Sequence, residues 1–158
     1  MTTASETDSA AVRNARFDSF YCRELLTQVR RATLLVGDSH LAQDLVHDAF
    51  AVVFAKWDAI RDPGPYLNTA VVNRCRDHGR RAAMSDRRLR LLIPDHGPED
   101  EQLWDAVQHL GFNQRAVVVL RFYHRMTNNE IAEVLGCRTG SIGPWLQRAL
   151  TQLRKELT

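Results

Sequence analysis

Lysine is almost absent from this chain. Only Lys56 and Lys155 are lysines among the 21 basic residues, so arginine carries nearly all of the positive charge. Arginine suits paired hydrogen bonds to phosphate and guanine, but GC-rich coding produces the same bias. The formal net charge is only +2, so charge by itself identifies no partner.

Cysteine is scarce as well. Cys22, Cys75 and Cys137 lie far apart, and no Cys-x-x-Cys pair occurs. This excludes a disulfide framework and a cysteine-based zinc site, so we expect no metal and no cofactor. No apolar run reaches about 18 residues, and the N-terminus lacks the basic-then-apolar pattern of a signal peptide. We therefore expect no membrane insertion and a location in the reducing cytoplasm.

Alternating strand patterns are missing too, which predicts an all-α fold. In the first half, apolar residues recur at helical spacing over residues 13–36, 41–57 and 66–81. Residues 1–12 are small and polar, and we expect them to be disordered. The segment DAIRDPGP, residues 58–65, holds two prolines and a glycine and is predicted to be a loop.

A change in composition separates the two halves of the chain. Residues 83–98 mix charge, a short apolar cluster and two prolines. We interpret them as a flexible linker between two small helical domains, 13–82 and 99–158. The second domain begins with acidic residues, which favour the N-terminus of a helix. We expect Leu103 to lie on the buried side of that first helix. A further helix is predicted over residues 113–125.

The segment MTNNEIAEVLGCRTGSIGPWLQRAL, residues 126–150, has the pattern of a helix-turn-helix. Thr127 and Glu130 have the spacing of a capping box, and Gly136 supplies the turn. Ala132 is small, as a close helix crossing requires. In a DNA-binding version the second helix enters the major groove, whereas a plain helical hairpin would show the same apolar pattern.

Three fragments in order resemble bacterial extracytoplasmic-function sigma factors, the small two-domain initiation subunits of RNA polymerase. AQDLVHDAF (42–50) resembles the family's AEDLVQEAF, and PYLNTAVVNRCRDHGRR (65–81) resembles its following Asn- and Arg-containing run. QRAVVVLRFYHRMTNNEIAEVLG (114–136) resembles its region through the first helix of the helix-turn-helix. The resemblance implies a promoter-specificity subunit that binds core polymerase and promoter DNA and helps melt the start site.

The resemblance assigns a polymerase-binding face to the second helix. Asp44, His47 and Asp48 are spaced i, i+3 and i+4 and therefore share one side of a helix. In the family this face docks on the clamp helices of the largest polymerase subunit, and the flap is a further expected contact on core polymerase. The family usually has Gln where His47 stands, so this chain departs from the family pattern at that position. An ordinary solvated face is the alternative.

The resemblance also places the loop and the third helix at the −10 element of the promoter. An opened promoter needs a pocket for a flipped base and cationic groups for the strand. Trp57 and Tyr66 flank the loop and are expected either to stack on bases or to lie in the core. The residues expected at −10 DNA are Asp58, Ile60, Arg61, Asn68, Asn73, Arg76, Arg80 and Arg81.

The second helix of the helix-turn-helix carries the residues expected at the −35 element, which are Arg138, Thr139, Ser141, Trp145, Gln147 and Arg148. Gly143, Pro144 and Trp145 stand where the family usually has Lys, Ser and Arg. An interior proline costs about 3 kcal/mol in a helix. Two interpretations follow: either the helix begins near Pro144 and reads DNA normally, or recognition of the −35 element is reduced or altered.

Three classes of function compete on these observations. A sigma factor explains both halves, and its partners would be core polymerase, promoter DNA and an anti-sigma factor if one exists. A free-standing helix-turn-helix regulator explains the second half but not the acidic face of the first. A sigma-like interaction protein without promoter recognition is the third. An enzyme is disfavoured because no metal spacing, glycine-rich phosphate loop or nucleophile elbow occurs.

Overall fold

The computed structural model describes residues 3–79 and 98–158, and within these ranges the regular structure is entirely helical. Three helices form the first group and four the second. They are α1 (Thr3–Val36), α2 (Ser39–Ala55), α3 (Pro63–Gly79), α4 (Pro98–His109), α5 (Phe112–Val118), α6 (Asn128–Leu135) and α7 (Thr139–Leu157). A 3₁₀ turn, Trp57–Ala59, precedes α3, and a π-helical turn, Val119–Tyr123, follows α5. The all-α prediction is confirmed.

Local sequence signals explain how α1 and α2 join. Gly37 has a φ of 77°, which ends α1 in the left-handed conformation that glycine adopts at little cost. Asp38 then accepts hydrogen bonds from the amides of His40 and Leu41, at 2.9 and 3.0 Å, and so caps α2. The tight turn lays α2 back along α1, and α3 packs against both helices.

Two expectations for the first group are corrected by the structure. Residues 1–12 were expected to be disordered, but α1 begins at Thr3. Its exposed first turns are held by backbone hydrogen bonds of the long helix and not by packing. The third helix begins at Pro63, earlier than expected, because proline tolerates the first turn, where its missing N–H is not needed. The linker and the arginines at 80 and 81 lie outside the described residues.

The helix-turn-helix prediction is confirmed in its geometry. The Thr127 hydroxyl accepts from the Glu130 amide, and the Glu130 carboxylate accepts from the Thr127 amide, both at 3.3 Å. Gly136 has a φ of 66° and makes the turn. The helix expected over 113–125 is instead α5 followed by the π-helical turn.

Two details of the second group differ from expectation. The helix α7 begins at Thr139 and contains Pro144, so the interpretation that the helix begins near Pro144 is wrong. Leu103 was expected to face inward but is 46% exposed, and the neighbouring Trp104 is buried instead. Val107 and Leu110 also face inward, so the difference is confined to the first buried position, where Trp104 replaces Leu103. The wide Trp104 ring buries more apolar area there than leucine would.

The two helical groups share a buried core. One continuous cluster runs from Leu35 and Val71 in the first group to Val117, Leu120 and Ile131 in the second. A smaller cluster joins α4, α5 and α7 around Val107, Leu110 and Leu153. In the described ranges, no helix combines the length and the apolar character needed to cross a bilayer.

Candidate nucleic-acid interface

An open groove of about 650 Å³ lies between the 3₁₀ turn with its following loop and the exposed side of α3. Ile60 and Arg61 line it from the loop, and Tyr66 and Asn73 line it from α3. The structure therefore brings together side chains that are up to 13 positions apart in sequence. The groove offers an aromatic ring, an apolar side chain, an amide and a guanidinium, which are the groups that hold an unstacked base.

The loop is braced by Arg13, a residue that sequence analysis did not single out. Its Nε lies 2.9 Å from Oδ2 of Asp58, and its Nη2 donates to the Phe54 carbonyl at 2.8 Å. The guanidinium also stacks over the Phe54 ring, 4.8 Å from the centroid. Asp58 is 77% exposed, so this ion pair holds a carboxylate that still faces solvent. Only the fold brings Arg13 near the loop, so no local sequence signal could have identified it.

Asn68 and Asn73, both expected at −10 DNA, have different surroundings. Oδ1 of Asn68 accepts hydrogen bonds from Gln28, at 2.7 Å, and from Arg31. Asn68 is therefore engaged within the first helical group, whereas Asn73 is exposed on the groove. Burial lowers the pKa of Arg31 to about 10, which leaves its guanidinium charged at neutral pH.

The aromatic residues beside the loop also divide between core and surface. Trp57 packs edge-on against Phe17, with ring centroids 5.4 Å apart, so it belongs to the aromatic core. Tyr66 is partly exposed on the groove, and its hydroxyl lies 3.4 Å from the Lys56 ammonium. Of the two flanking rings, Tyr66 is the one that lines the groove.

Arg76 lies on α3 but is turned toward the second helical group. Its Nη2 donates to the Leu135 carbonyl at 3.0 Å, and its guanidinium lies 5.8 Å from the Phe112 ring centroid. The side chain is partly buried there. Of the arginines expected at −10 DNA, Arg61 is exposed to solvent, and Arg76 is engaged within the protein.

The acidic face of α2 is on the surface. Asp44, His47 and Asp48 are all exposed, on the side opposite the buried Leu45, Val46 and Ala49. No described cation pairs with Asp44 or Asp48 in a salt bridge shorter than 4 Å. Their carboxylates are therefore available to a basic partner.

The exposed face of α7 carries four of the six residues expected at −35 DNA, namely Arg138, Thr139, Gln147 and Arg148. The Thr139 hydroxyl donates to Oδ1 of Asn129 at 3.1 Å, which ties the start of α7 to α6. Ser141 is half-buried. Trp145 is half-buried against the core, so most of its ring is used for packing.

A shallow groove continues along α7 beyond the predicted residues. It is lined by Pro144, Arg148, Thr151 and Lys155, which follow one another at i, i+4, i+7 and i+11 along one side of the helix. Thr151 and Lys155 were missed by sequence analysis. The helical repeat from Arg148 was the signal that could have identified them.

The structure gives no ligand set for a metal ion: no described group of three or more His, Cys, Asp or Glu side chains is suitably placed. Burial raises the pKa of the Cys75 thiol to about 12, so that thiol stays protonated and packs as an apolar side chain.

Comparison with known proteins gives matches in both halves of the chain. Residues 21–84 match the family model for sigma-70 region 2, and residues 100–153 match that for sigma-70 region 4. An RNA polymerase sigma-E factor of Streptomyces antibioticus is 37% identical over 134 residues, which cover 78% of this chain and 74% of that protein. The sigma-E factor of Streptomyces avermitilis is 35% identical over 140 residues, which cover 82% and 78%.

A solved structure shares the fold. It is the sigma factor RpoE in complex with the anti-sigma factor NepR from Bartonella quintana, and its TM-score is 0.72 at 21% identity. The match covers 90% of this chain and 96% of the RpoE chain.

Proposed function

Because this chain belongs to the extracytoplasmic-function sigma factors of the sigma-70 family, which direct RNA polymerase in transcription initiation, we propose a role for each of its surfaces. The groove between the loop and α3 holds an unstacked base of the −10 element. The acidic face of α2 binds core polymerase. The exposed face of α7 contacts the −35 duplex. The polymerase carries out the chemistry, and this chain catalyses no step.

The observation that carries the −10 assignment is the groove of about 650 Å³ with Asn73 and Tyr66 on one wall and Ile60 and Arg61 on the other. A base taken out of the stack loses a few kcal/mol of stacking and pairing, which a pocket must offset. Stacking on an aromatic ring contributes about 1–3 kcal/mol per base. Asn73 supplies the donor and acceptor that can distinguish one base edge from another.

The polymerase assignment rests on the two unpaired carboxylates of α2. Asp44 and Asp48 lie one helical turn apart, so both can meet arginines of the clamp helices, and charge-assisted hydrogen bonds of this kind are short and strong. The flap is the proposed contact of the second helical group. An anti-sigma factor is a further proposed partner, since the Bartonella quintana sigma factor is bound by one.

The proposed contact of α7 with the −35 duplex has fewer side chains for base recognition than an ordinary helix-turn-helix contact. The cations of α7 on this face are Arg138 at its start, Arg148 in its middle and Lys155 near its end. Between the first two, Gly143 and Pro144 provide no hydrogen-bond donor from a side chain, and Trp145 is half-buried. Phosphate contacts then position the helix while base contacts are few, which reduces sequence specificity at this element.

Run-off transcription with purified core polymerase tests the −10 assignment. Promoters carry 2-aminopurine at successive positions of the non-template −10 strand, and its fluorescence rises when the base leaves the stack. Asn73→Ala should lower open-complex yield about tenfold and abolish the signal at one position, because one direct base contact is worth roughly 1–3 kcal/mol. Asn14→Ala, the same change on an exposed turn of α1, is the matched control.

Full open-complex yield and fluorescence with Asn73→Ala would contradict the proposed base contact. Specific duplex binding without core polymerase, together with no run-off product, would favour the free-standing regulator instead.

A further inference from the structure

Arg13 joins the long first helix to the junction where α2 ends and the loop beside the groove begins. Its Nη2 donates to the Phe54 carbonyl at 2.8 Å, and its Nε lies 2.9 Å from Oδ2 of Asp58. The last turn of α2 contains no basic residue of its own. Because the carbonyls at the end of a helix carry partial negative charge, the Arg13 guanidinium supplies a cation that α2 lacks.

The same contact fixes the start of the loop wall of the groove. Asp58 lies in the 3₁₀ turn, and the next two residues, Ala59 and Ile60, line the groove. Their amides donate to the Lys56 carbonyl, at 2.9 and 3.1 Å. The wall is therefore a short backbone segment, bonded to Lys56 behind it and held at its side by the pair of Arg13 with Asp58.

The guanidinium makes several contacts at once because it is planar and carries its donors in a fixed fork. Besides the Phe54 carbonyl and the Asp58 carboxylate, it contacts the face of the Phe54 ring. The Arg13 side chain is 29% exposed, so its charge is only partly screened by water. Phe17, one turn further along α1, packs its ring on those of Phe54 and Trp57. Apolar packing is non-directional, so Arg13 is the contact that sets the direction of the turn.

Arg13 precedes the part of the chain that matches sigma-70 region 2, which begins at residue 21. The groove residues Ile60, Arg61, Tyr66 and Asn73 all lie within that match. The contact thus connects the groove to a turn of α1 outside the matched region.

We propose that Arg13 is a positioning residue for promoter recognition, which holds the 3₁₀ turn and thereby sets the wall of the groove that receives the unstacked −10 base. This inference rests on the proposed function of that groove. Arg13 does not line the groove itself and acts through Ile60 and Arg61, which do. Loss of Arg13 leaves the turn free to shift, so the base is held less often and less selectively.

The test measures open-complex yield with the full chain and core polymerase, comparing Arg13→Gln with the parent. Arg16→Gln is the matched control, since it makes the same change at an exposed position of the same helix. Each protein is assayed on an intact promoter and on promoters with an abasic site at successive −10 positions. Circular dichroism and co-purification with core polymerase establish that each variant is folded and binds its partner.

Arg13→Gln should lower the yield on the intact promoter about fivefold, within the range of coupling between residues in contact. It should cause no further loss when the abasic site replaces the base in the groove, because no base is left to hold. Arg16→Gln should match the parent on every promoter.

Base selectivity separates positioning from a general loss of stability. With each of the four bases placed at the groove position, the preference of the parent for one base should weaken in Arg13→Gln. A merely destabilised protein loses yield equally on all four. Arg13→Lys keeps the charge without the fork and should restore only part of the preference.

Asp58→Asn removes the ion pair from the exposed side, where the fold does not depend on it. It should lower the yield less than Arg13→Gln does, because the contact with the Phe54 carbonyl remains. The double variant Arg13→Gln/Asp58→Asn should be no worse than Arg13→Gln, since both changes act on one contact. Additive losses would show that Arg13 does not act through Asp58.

Equal losses for Arg13→Gln on intact and abasic promoters, or an unchanged base preference, would overturn the positioning role. A yield at the parent level in Arg13→Gln, on a promoter where the abasic site lowers the parent's yield, would overturn it too and leave the groove function standing. If no abasic site in the −10 element lowered the parent's yield, the proposed groove function would fail and the role of Arg13 with it.

Discussion

The Tyr21 hydroxyl lies 2.9 Å from Nε2 of His47, and the two rings are stacked with an interplanar angle of 17°. This contact ties His47 to α1. Asp44 and Asp48 on the same face of α2 point only to solvent. The three residues that share a face by spacing therefore differ in their freedom to meet a partner.

The first prediction concerns this face. Asp44→Arg combined with Asp48→Arg should abolish binding to core polymerase, since it replaces two attractive contacts with repulsion against basic clamp residues. The helical content should be unchanged, because both positions are exposed. Co-purification with core polymerase is the measurement. Asp8→Arg with Asp18→Arg, on the exposed surface of α1, is the control. Core binding at the parent level would remove α2 from the interface.

The second prediction separates the two asparagines of α3. Asn68→Ala should lower the free energy of unfolding by roughly 2 kcal/mol, because it removes the acceptor of the buried Gln28 amide and one of the two acceptors of Arg31 Nη1. Asn73→Ala, at an exposed position, should change it by less than about 0.5 kcal/mol. Urea unfolding of both variants measures the difference. Equal stabilities would show that the buried network contributes nothing.

The third prediction is a dependence of stability on pH. Burial first, and the nearby charge of Arg31 second, lower the pKa of His124 to about 4. The folded protein therefore keeps His124 neutral, while the unfolded chain binds a proton below about pH 6.5. The stabilisation of the folded protein that comes from neutral His124 is therefore complete above pH 6.5, and it is lost as the pH falls toward 4.

Urea unfolding at pH 7 and pH 4.5 should show a loss of roughly 2 kcal/mol from His124. The variant His124→Gln lacks this titration, so its stability should fall correspondingly less between the two pH values. A parallel loss in the parent and the variant would show that His124 is not the group responsible.

The fourth prediction concerns the interior of α7. Around Gly143 a Cβ would meet no atom within 4 Å, so Gly143→Ala should raise the free energy of unfolding by about 1 kcal/mol through helix propensity. Pro144→Ala should raise it by up to ~3 kcal/mol, since the helix continues through this position and regains a hydrogen bond. Thermal and urea unfolding measure both changes. A loss of stability in either variant would mean that the backbone here is not an ordinary helix.

The same segment determines dependence on the −35 element. Scrambling that element should lower transcription little in the parent and more in Gly143→Lys/Pro144→Ser, which restores a cation and a hydroxyl while keeping the packed Trp145. Gly111→Lys is the control, because it adds the same charge at an exposed position of the same helical group. A parent as sensitive as the double variant would show that −35 recognition is not reduced.

Local sequence was sufficient for most of the secondary structure. The capping and turn signals act through hydrogen bonds and φ preferences that involve neighbours within four residues, so they can be predicted without knowledge of the fold. They are Asp38, the pair Thr127 and Glu130, and Gly136. Helical spacing likewise placed Asp44 and Asp48 on one face. The start of α3 was predicted too late because a proline run was interpreted as loop, although proline is compatible with the first turn of a helix.

The tertiary structure decided which of these side chains are free to act. Asn68 and Asn73 are the same residue type on the same helix, yet contact with α1 turns Asn68 into an internal acceptor while Asn73 stays exposed. Arg13 reaches Asp58, and Arg76 reaches Leu135, over sequence separations of 45 and 59 residues. Such contacts depend on the packing of whole helices, because a hydrogen bond forms only when the fold places donor and acceptor within about 3 Å of each other. The sequence by itself determined the helices and their faces; the packing of those helices determined which faces meet each other and which remain for a partner.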